Sequence, residues 1–429
     1  MLNITKPIVN RGAVFLDTLQ YRNYRFLWAC ELLSGMSRWM LIVGRGSLVY
    51  HLSGGSSVQV GIATFAALIP ILVVTPVAGL LSDRVERRKL TAIAFGSNLL
   101  LTMVLVFLTI SDLIQIWHVV MISLLNGAAR AFEEPVLQAM VPGMVPKAKL
   151  LNAYALGGIG RHGSRFAGPF LGGLLLTFLA SGDHALGPAS TFMAATLFYA
   201  LGVVLILQIP QPVEGNTRVK DGALRQLLEG VGYVYQHPML RPLIIMMAFH
   251  CSFAMAFESF LPEFAEEVLK QGGAAFSFMM MAVGLGGLLV SFSLAGVRDN
   301  RQRGWLLIVM GVLSGVFSAA MAASVNLPVA LVMAVLLGAF GSGYMTINQA
   351  IVQSIAPEQL RGRITSLFSL HAGGLMSFMQ LSNSAIAELL NARGAFLVTG
   401  LLLVVILLAM TLRLPKVRYL ARTGEVPAA

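Results

Sequence analysis

Apolar stretches about as long as a bilayer is thick alternate with short polar joints along almost the whole chain. Candidate spans run over 26–50, 57–81, 90–111, 116–141, 153–179, 186–208, 240–262, 274–297, 305–325, 328–352, 364–387 and 394–412. Each approaches the ~20 residues needed to cross ~30 Å of hydrocarbon at ~1.5 Å per residue. The stretch from Trp305 to Pro357 is the plainest case: it holds no Lys, Arg, Asp, Glu or His and turns near Asn326-Leu327-Pro328. The pattern predicts an all-α membrane protein of twelve transmembrane helices. From Met1 to Arg25 the chain is mixed polar and basic, without the short apolar core of a cleavable signal.

Composition strengthens this reading. Of 429 residues, 57% are apolar and 11% charged, against about 25% charged in a soluble domain, too little to clothe a water-facing surface. Cys30 and Cys251, the two cysteines, both fall in apolar segments, which leaves no disulfide framework and no cysteine metal site.

The basic residues set an orientation. With the N-terminus in the cytoplasm, Arg84, Arg87, Arg88, Lys89, Lys147, Lys149, Arg218, Lys220, Arg225, Arg298, Arg301, Arg303, Arg361 and Arg363 fall in inside loops, and Lys and Arg occur in outside loops only as Lys270 and Arg393. That is the positive-inside bias. It gives a multi-pass protein with both termini cytoplasmic, expected in a bacterial inner membrane. It also accounts for the net charge of +11 through lipid headgroups, with no nucleic acid partner.

An internal repeat follows. The fourth and tenth spans end alike: Gly127, Gln138-Ala139 and Pro146 correspond to Gly338, Gln349-Ala350 and Pro357, all 211 residues apart. The loop Asp83-Arg84-Val85-Glu86-Arg87-Arg88 corresponds to Asp299-Asn300-Arg301-Gln302-Arg303-Gly304. The chain is therefore expected to divide into residues 1–209, an N-terminal six-helix bundle, and 240–429, a C-terminal one. Between them, 210–239 forms a cytoplasmic loop whose middle, Leu224 to Tyr235, makes an amphipathic surface helix. Two pseudo-symmetric halves imply alternating access around a site near mid-membrane.

These residues resemble the major facilitator superfamily. Gly79-Leu80-Leu81-Ser82-Asp83-Arg84-Val85-Glu86-Arg87-Arg88 is similar to its loop 2–3 signature G-x-L-x-D-R-x-G-R-R, with Glu86 in place of the second glycine. The resemblance implies a gate in which Asp83 caps the inner end of span eleven and pairs with arginine, involving Gly79, Asp83, Arg84, Arg87, Arg88 and Asp299. Gly168-Pro169-Phe170-Leu171-Gly172-Gly173 resembles the G-P-x-x-G-G of the antiporter branches, with Ser164 where a further glycine is usual. Gly168, Pro169, Gly172 and Gly173 would let span five bend and approach its neighbours. Tyr21 to Trp28, Pro142 to Ala153, Leu228-Glu229-Gly230, His237-Pro238 and Leu360-Arg361-Gly362-Arg363 are similar to the bacterial branch of enterobactin exporters and multidrug pumps. The superfamily fold implies a cavity lined by spans one, four, seven and ten.

Charge inside a bilayer costs about 2.5–3.5 kcal/mol per residue on insertion scales and marks candidate function. Here it concentrates in spans one, four, five and seven. Glu31, Arg38 and Arg45 stand seven residues apart, about 700° of helical rotation, and so share one face. Arg45 approaches the outer surface, where its guanidinium is expected to snorkel. Span four carries Arg130, Glu133 and Glu134, with Arg130 at the depth to pair with Glu31. Span five carries Arg161 and His162, either as ligands or as inner-gate residues, and Arg165 deepest, for substrate binding or pairing within the cavity. Span seven carries His250, either a cavity ligand or a packed polar residue, and Glu258, while Glu263, Glu266 and Glu267 read as its solvated outer end. The expected substrate-binding set is Arg38, Arg130, Arg165, His250, Glu258 and Asn348. The expected proton carriers are Glu31, Glu133, Glu134 and Glu258, because buried carboxylates can hold protons.

The arginine excess points to an anionic or amphipathic small molecule, such as a siderophore-like carboxylate or catecholate. Met279-Met280-Met281 could supply a pliable apolar wall. The expected activity is secondary, proton-coupled export by a monomer; a broad drug efflux pump or a proton-coupled uptake symporter has the same fold. H-E-x-x-H, G-x-S-x-G and the phosphate loop G-x-x-x-x-G-K-[ST] do not occur, which argues against an enzyme, an ATP-driven pump, a cofactor or a metal.

Overall fold

The computed structural model describes residues 17–82, 85–179, 186–210, 223–294, 300–357 and 360–425. The first six spans are the helices Arg22–Leu52, Ser57–Ser82, Arg87–Ile110, Ile116–Met140, Leu150–Leu179 and Leu186–Leu207. Spans eight, nine and ten are Gly273–Leu294, Asn300–Met321 and Leu327–Ile355. Spans eleven and twelve form one continuous element, Arg361–Arg413, broken at Asn391 with φ 61°. Asn tolerates positive φ better than most side chains, and its Oδ1 caps span twelve by accepting from Gly394 N (3.1 Å).

Among the described residues, eight helices are long and apolar enough to cross a membrane, or nine if a pair bent by 99° is one span. Leu370–Arg413 is two spans divided at Asn391. Spans four and five are less apolar, because Arg130, Glu133, Arg161, His162 and Arg165 dilute their hydropathy. With these three added, the helices make the twelve transmembrane segments the pattern predicts.

The packing obeys the repeat. Span two lies on span four as span eight lies on span ten, and span three on span six as span nine on span twelve. Two further seams, span two on eleven and span five on eight, join the first six helices to the last six. Glycine sets these approaches. A Cβ on Gly127 would overlap the Ala67 carbonyl, one on Gly338 the Val283 carbonyl, and one on Gly286 the Val335 carbonyl. With lipid as apolar as the side chains, helices associate through such close backbone contact.

The connecting helix Ala223–Gln236 turns through 99° onto span seven at His237-Pro238. His237 Nδ1 accepts from the N–H groups of Met239 and Leu240, both at 3.2 Å, and so caps the first turn of span seven. Burial and the Lys416 ammonium hold this imidazole below its ordinary range, which preserves the lone pair as acceptor. The cap is therefore present at neutral pH and is lost as the pH falls toward that lowered value. At the other end of the chain, the helix Pro415–Thr423 buries Val417 and Leu420. It lies on the start of span nine, where Gly304 abuts the Leu420 carbonyl.

Bulk at a helix crossing should be more harmful than bulk on a lipid face. Gly338→Val is expected to cost about 1–3 kcal/mol through overpacking and to lower the melting temperature in detergent. The same change at Gly96, whose Cβ position has open space around it, should melt close to the wild type.

A polar cavity at the break in span seven

Span seven is not one continuous α-helix. Leu240–His250 passes into a π-helical turn at Cys251–Met255, then into turns, a short α-helical piece at Leu261–Glu263 and a second π-helical turn at Phe264–Val268. Ala256 leaves helical geometry altogether, with φ −86° and ψ 52°. A broken helix in hydrocarbon exposes backbone groups that need partners, and span eleven supplies them. Asn383 Nδ2 donates to the carbonyls of Ser252 (2.9 Å) and Ala256 (3.0 Å). Gln380 Oε1 accepts from Ser259 N (3.3 Å), Ser259 Oγ donates to the Gln380 carbonyl (3.1 Å), and Ser384 Oγ donates to Ser259 Oγ (2.7 Å). Each of these polar side chains is buried.

The break carries Glu258 into a cavity of about 640 Å³ between spans one, two, four and seven. Arg38 and Arg45 enter from span one, Ser123, Asn126 and Arg130 from span four, Thr64 from span two and Tyr199 from span six. Three guanidiniums thus face one carboxylate. Glu258 shares this lining with Arg38 and Arg130, and Arg165 of span five is also close enough to act on its charge.

Arg38 and Arg165 share a single aromatic face system. Their guanidinium carbons lie 4.7 Å and 4.9 Å from the Trp39 ring centre, and the Nε of each is buried without a partner among the described residues. A desolvated cation–π contact is worth about 2 kcal/mol, so Trp39 offsets part of the cost of two arginines at this depth. The Gly-Pro motif brings them there. A Cβ on Gly168 would lie 2.8 Å from both the Met36 carbonyl and the Trp39 Cβ, so glycine lets span five close on span one. Proline at 169 has no N–H for the Arg165 carbonyl one turn earlier, and Gly284 of span eight packs against that carbonyl. Ser277 Oγ donates to the Pro169 carbonyl (2.5 Å), and Gly172 and Gly173 face Ser277 at 3.4 Å and 3.1 Å.

The remaining expected residues take several positions. Glu31 forms an ion pair with Arg161 of span five at 2.9 Å. Glu133 is buried and accepts a hydrogen bond from Ser34 Oγ. His250 and Asn348 lie together but away from this cavity: His250 Nε2 contacts Ser314 Oγ (3.1 Å) and stacks at 4.4 Å on Tyr344, to which Asn348 Nδ2 donates (3.3 Å). Arg45 does not reach the surface. Its Nη1 donates to Ser123 Oγ (2.7 Å) and its Nε to the Leu41 carbonyl (3.1 Å), and it is 8% exposed. The cavity holds it because Ser123 and its own helix offer acceptors that snorkelling would forgo. Of the expected gate residues, Arg87 Nη1 donates to the Ala139 carbonyl and Arg88 Nη1 to the Ile209 carbonyl, both at 2.9 Å. Gly79 lies near the end of span two. Asp83, Arg84 and Asp299 lie outside the described residues, as does the side chain of Glu134.

The face opposite the basic residues is tied across the two sets of helices. Glu263, expected to be solvated, is buried: it accepts from Ser57 Oγ (2.6 Å) and from Ala392 N at the Asn391 break (2.8 Å). Glu388 accepts from Val58 N (3.3 Å) and Glu266 meets His51 at 3.2 Å. Glu267 alone of the three is well exposed, beside Lys270.

Ser123, Asn126 and Arg130 stand at i, i+3 and i+7 on span four, and this spacing could have singled out Ser123 and Asn126. Nothing local in the sequence marks Thr64 or Tyr199.

A twelve-helix bundle with two seams between its halves and a charged cavity beside a broken helix defines a major facilitator transporter. The profile of the transmembrane secretion effector family matches residues 15–426, and the chain belongs to that family of the superfamily. It is a multi-pass membrane transporter of small molecules, not an enzyme. The staphyloferrin A transporter of Staphylococcus aureus is 24% identical over 88% of this chain and 92% of its own. The multidrug efflux pump Tap of Mycolicibacterium fortuitum is 24% identical over 73% and 76%. An enterobactin exporter of Shigella boydii is 25% identical over 83% and 84%. The fold alone is shared with a variant of the nucleoside transporter NupG, at TM-score 0.69 and 12% identity over 91% of this chain and all of that one (100%).

Removing the side chain that closes the break should be felt directly. Asn383→Ala leaves two buried carbonyls without a donor, about 1–3 kcal/mol each. The expected result is a lowered melting temperature together with faster amide hydrogen exchange across residues 252–260; wild-type exchange there would contradict this role for Asn383.

Proposed function

We propose that this protein is a proton-coupled exporter of an amphipathic, anionic small molecule of siderophore-like chemistry. It sits in the inner membrane with its basic face toward the cytoplasm, both termini on that side. Residues 1–209 and 240–429 act as the two rocking bundles, joined by 210–239, and a single copy suffices. The observation that carries the reading is the pair Arg38 and Arg165 gathered on the Trp39 ring, beside a cavity that holds two further arginines and one carboxylate. Arginine keeps its charge in hydrocarbon, so such a group selects a ligand bearing carboxylate or phenolate oxygens and an aromatic or apolar body. The resemblance to an enterobactin exporter and a staphyloferrin A transporter supports the same class.

The exchanged proton is assigned to carboxylates away from the anion seat: Glu31 with Arg161, Glu133 with Ser34, and the adjoining Glu134. Protonation of Glu31 would open its ion pair, and protonation of Glu133 would turn a hydrogen-bond acceptor toward a donor. Both changes alter how span one holds to spans four and five. Separation matters for the direction of coupling, because an anion bound at Arg38 and Arg165 would compete with Glu258 for their charge and favour its protonated form. Coupling through Glu258 would thus carry anion and proton the same way, as in an uptake symporter. This second reading rests on the Glu258 geometry, and the direction of flux separates the two.

In inside-out vesicles given a panel of siderophores, organic acids and lipophilic drugs, anionic siderophores should accumulate when the lumen is acid. Accumulation only when the lumen is alkaline would establish the symporter instead. Arg38→Ala and Arg165→Ala should each weaken anionic substrates about tenfold or more, in line with ~1.5–3 kcal/mol for a charged hydrogen bond, and neutral substrates far less. Equal losses would remove the anion argument and favour a broad efflux pump, as the likeness to Tap would suggest. Glu133→Gln, Glu134→Gln and Glu31→Gln should flatten the pH dependence of export while sparing anion binding. An unchanged pH profile in all three, with Glu258→Gln altering it, would move the coupling to span seven.

A further inference from the structure

A second recess, of about 1280 Å³, opens where the connecting helix, the start of span seven, the end of span twelve and the C-terminal helix meet on the basic face. Arg241, Arg413 and Lys416 line it together, and no Asp or Glu does. Among the described residues none of the three has an ion pair; the imidazole of His237, also in the lining, is occupied in capping span seven. Its inner wall is apolar, with Ile245 from span seven and Met410 and Leu414 from span twelve. Beyond that wall, Val405, Leu408 and Leu412 are exposed on the outer surface of span twelve, where acyl chains run.

We propose that this recess seats the headgroup of an acidic phospholipid. The phosphate meets the three cations at the level where helices leave the membrane, and the acyl chains continue down the apolar wall toward Val405. Basic pockets at that depth suit anionic headgroups, and three converging charges distinguish this one from a diffusely basic loop. A zwitterionic lipid would bring a choline or amine against the same cations and be disfavoured. Tyr235 and the His237 turn belong to the connecting helix and Arg413 and Lys416 to the far end of the chain, so one lipid would tie the connector to the terminal helix.

The test is native mass spectrometry of the intact protein released from micelles doped with phosphatidylglycerol or with phosphatidylcholine, in the presence or absence of inorganic phosphate. Wild type should retain phosphatidylglycerol adducts in preference to phosphatidylcholine, with phosphate failing to displace them. Arg241→Gln, Arg413→Gln and Lys416→Gln should each reduce retention roughly fivefold, the worth of one basic contact near a charged surface. Arg418→Gln and Arg422→Gln, on the C-terminal helix outside the recess, should leave it unchanged and serve as folded controls. Equal retention of the two lipids, or equal losses in the recess and control variants, would overturn the proposal. Displacement by phosphate alone would reassign the site to a free anion. None of these readouts involves transport, so the result stands apart from the direction or substrate of export.

Discussion

A guanidinium cannot shed its charge to suit a membrane, and much of this structure follows from having several of them at depth. Arg45 is held by a serine and by its own helix. Arg38 and Arg165 are both held against one tryptophan ring, which attracts cations without neutralising them. A carboxylate there would have formed a closed ion pair. Tryptophan leaves both cations with donors to spare, the Nε of each being buried without a partner among the described residues. The glycine at 168 and the proline at 169 belong to the same arrangement, since Arg165 reaches Trp39 only if spans one and five touch backbone to side chain.

The second constraint is the absence of water around a broken backbone. Span seven departs from α-helical geometry where Glu258 enters the cavity; Asn383 takes up the carbonyls this releases and Gln380 an N–H, while Ser384 donates to the Ser259 hydroxyl. Those residues look unremarkable in sequence, a polar patch in an otherwise apolar span. Their importance is to make the break permanent. The carboxylate and its supporting amides come from different spans of the second half, while the arginines come from the first, so the site is complete only when the two halves are together.

The helices and the superfamily were legible in the sequence because lipid imposes length and hydropathy directly, and because the loop motif and the 211-residue repeat are local patterns. Arg38, Arg130 and Glu258 were legible as charges with no business in hydrocarbon. His250 and Asn348 carried the same signal and sit elsewhere, in a cluster with Tyr344 and Ser314, because span and depth do not fix which way a helix face turns. Arg45 and Glu263 went the other way: nearness to a helix end suggested solvent, while partners from Ser123, Ser57 and the Asn391 break keep them inside. The π-helical turns of span seven have no sequence signature at all; they depend on amides more than a hundred residues away.

The seams between the halves have a mechanical character of their own. Where span two meets eleven and span five meets eight, the contact points are Gly61 against Ser384, Gly284 against the Arg165 carbonyl, and Gly173 against Ser277. Large side chains interlock like gear teeth and must be lifted out of register before one helix can move along another. Both kinds of contact occur here: Phe65 meets Phe378 ring to ring at 5.3 Å and Leu72 fills the space at Gly374, so the seam between spans two and eleven is shallow at one point and keyed at others, and the far face is closed by Glu263 on Ser57 and Glu388 on Val58.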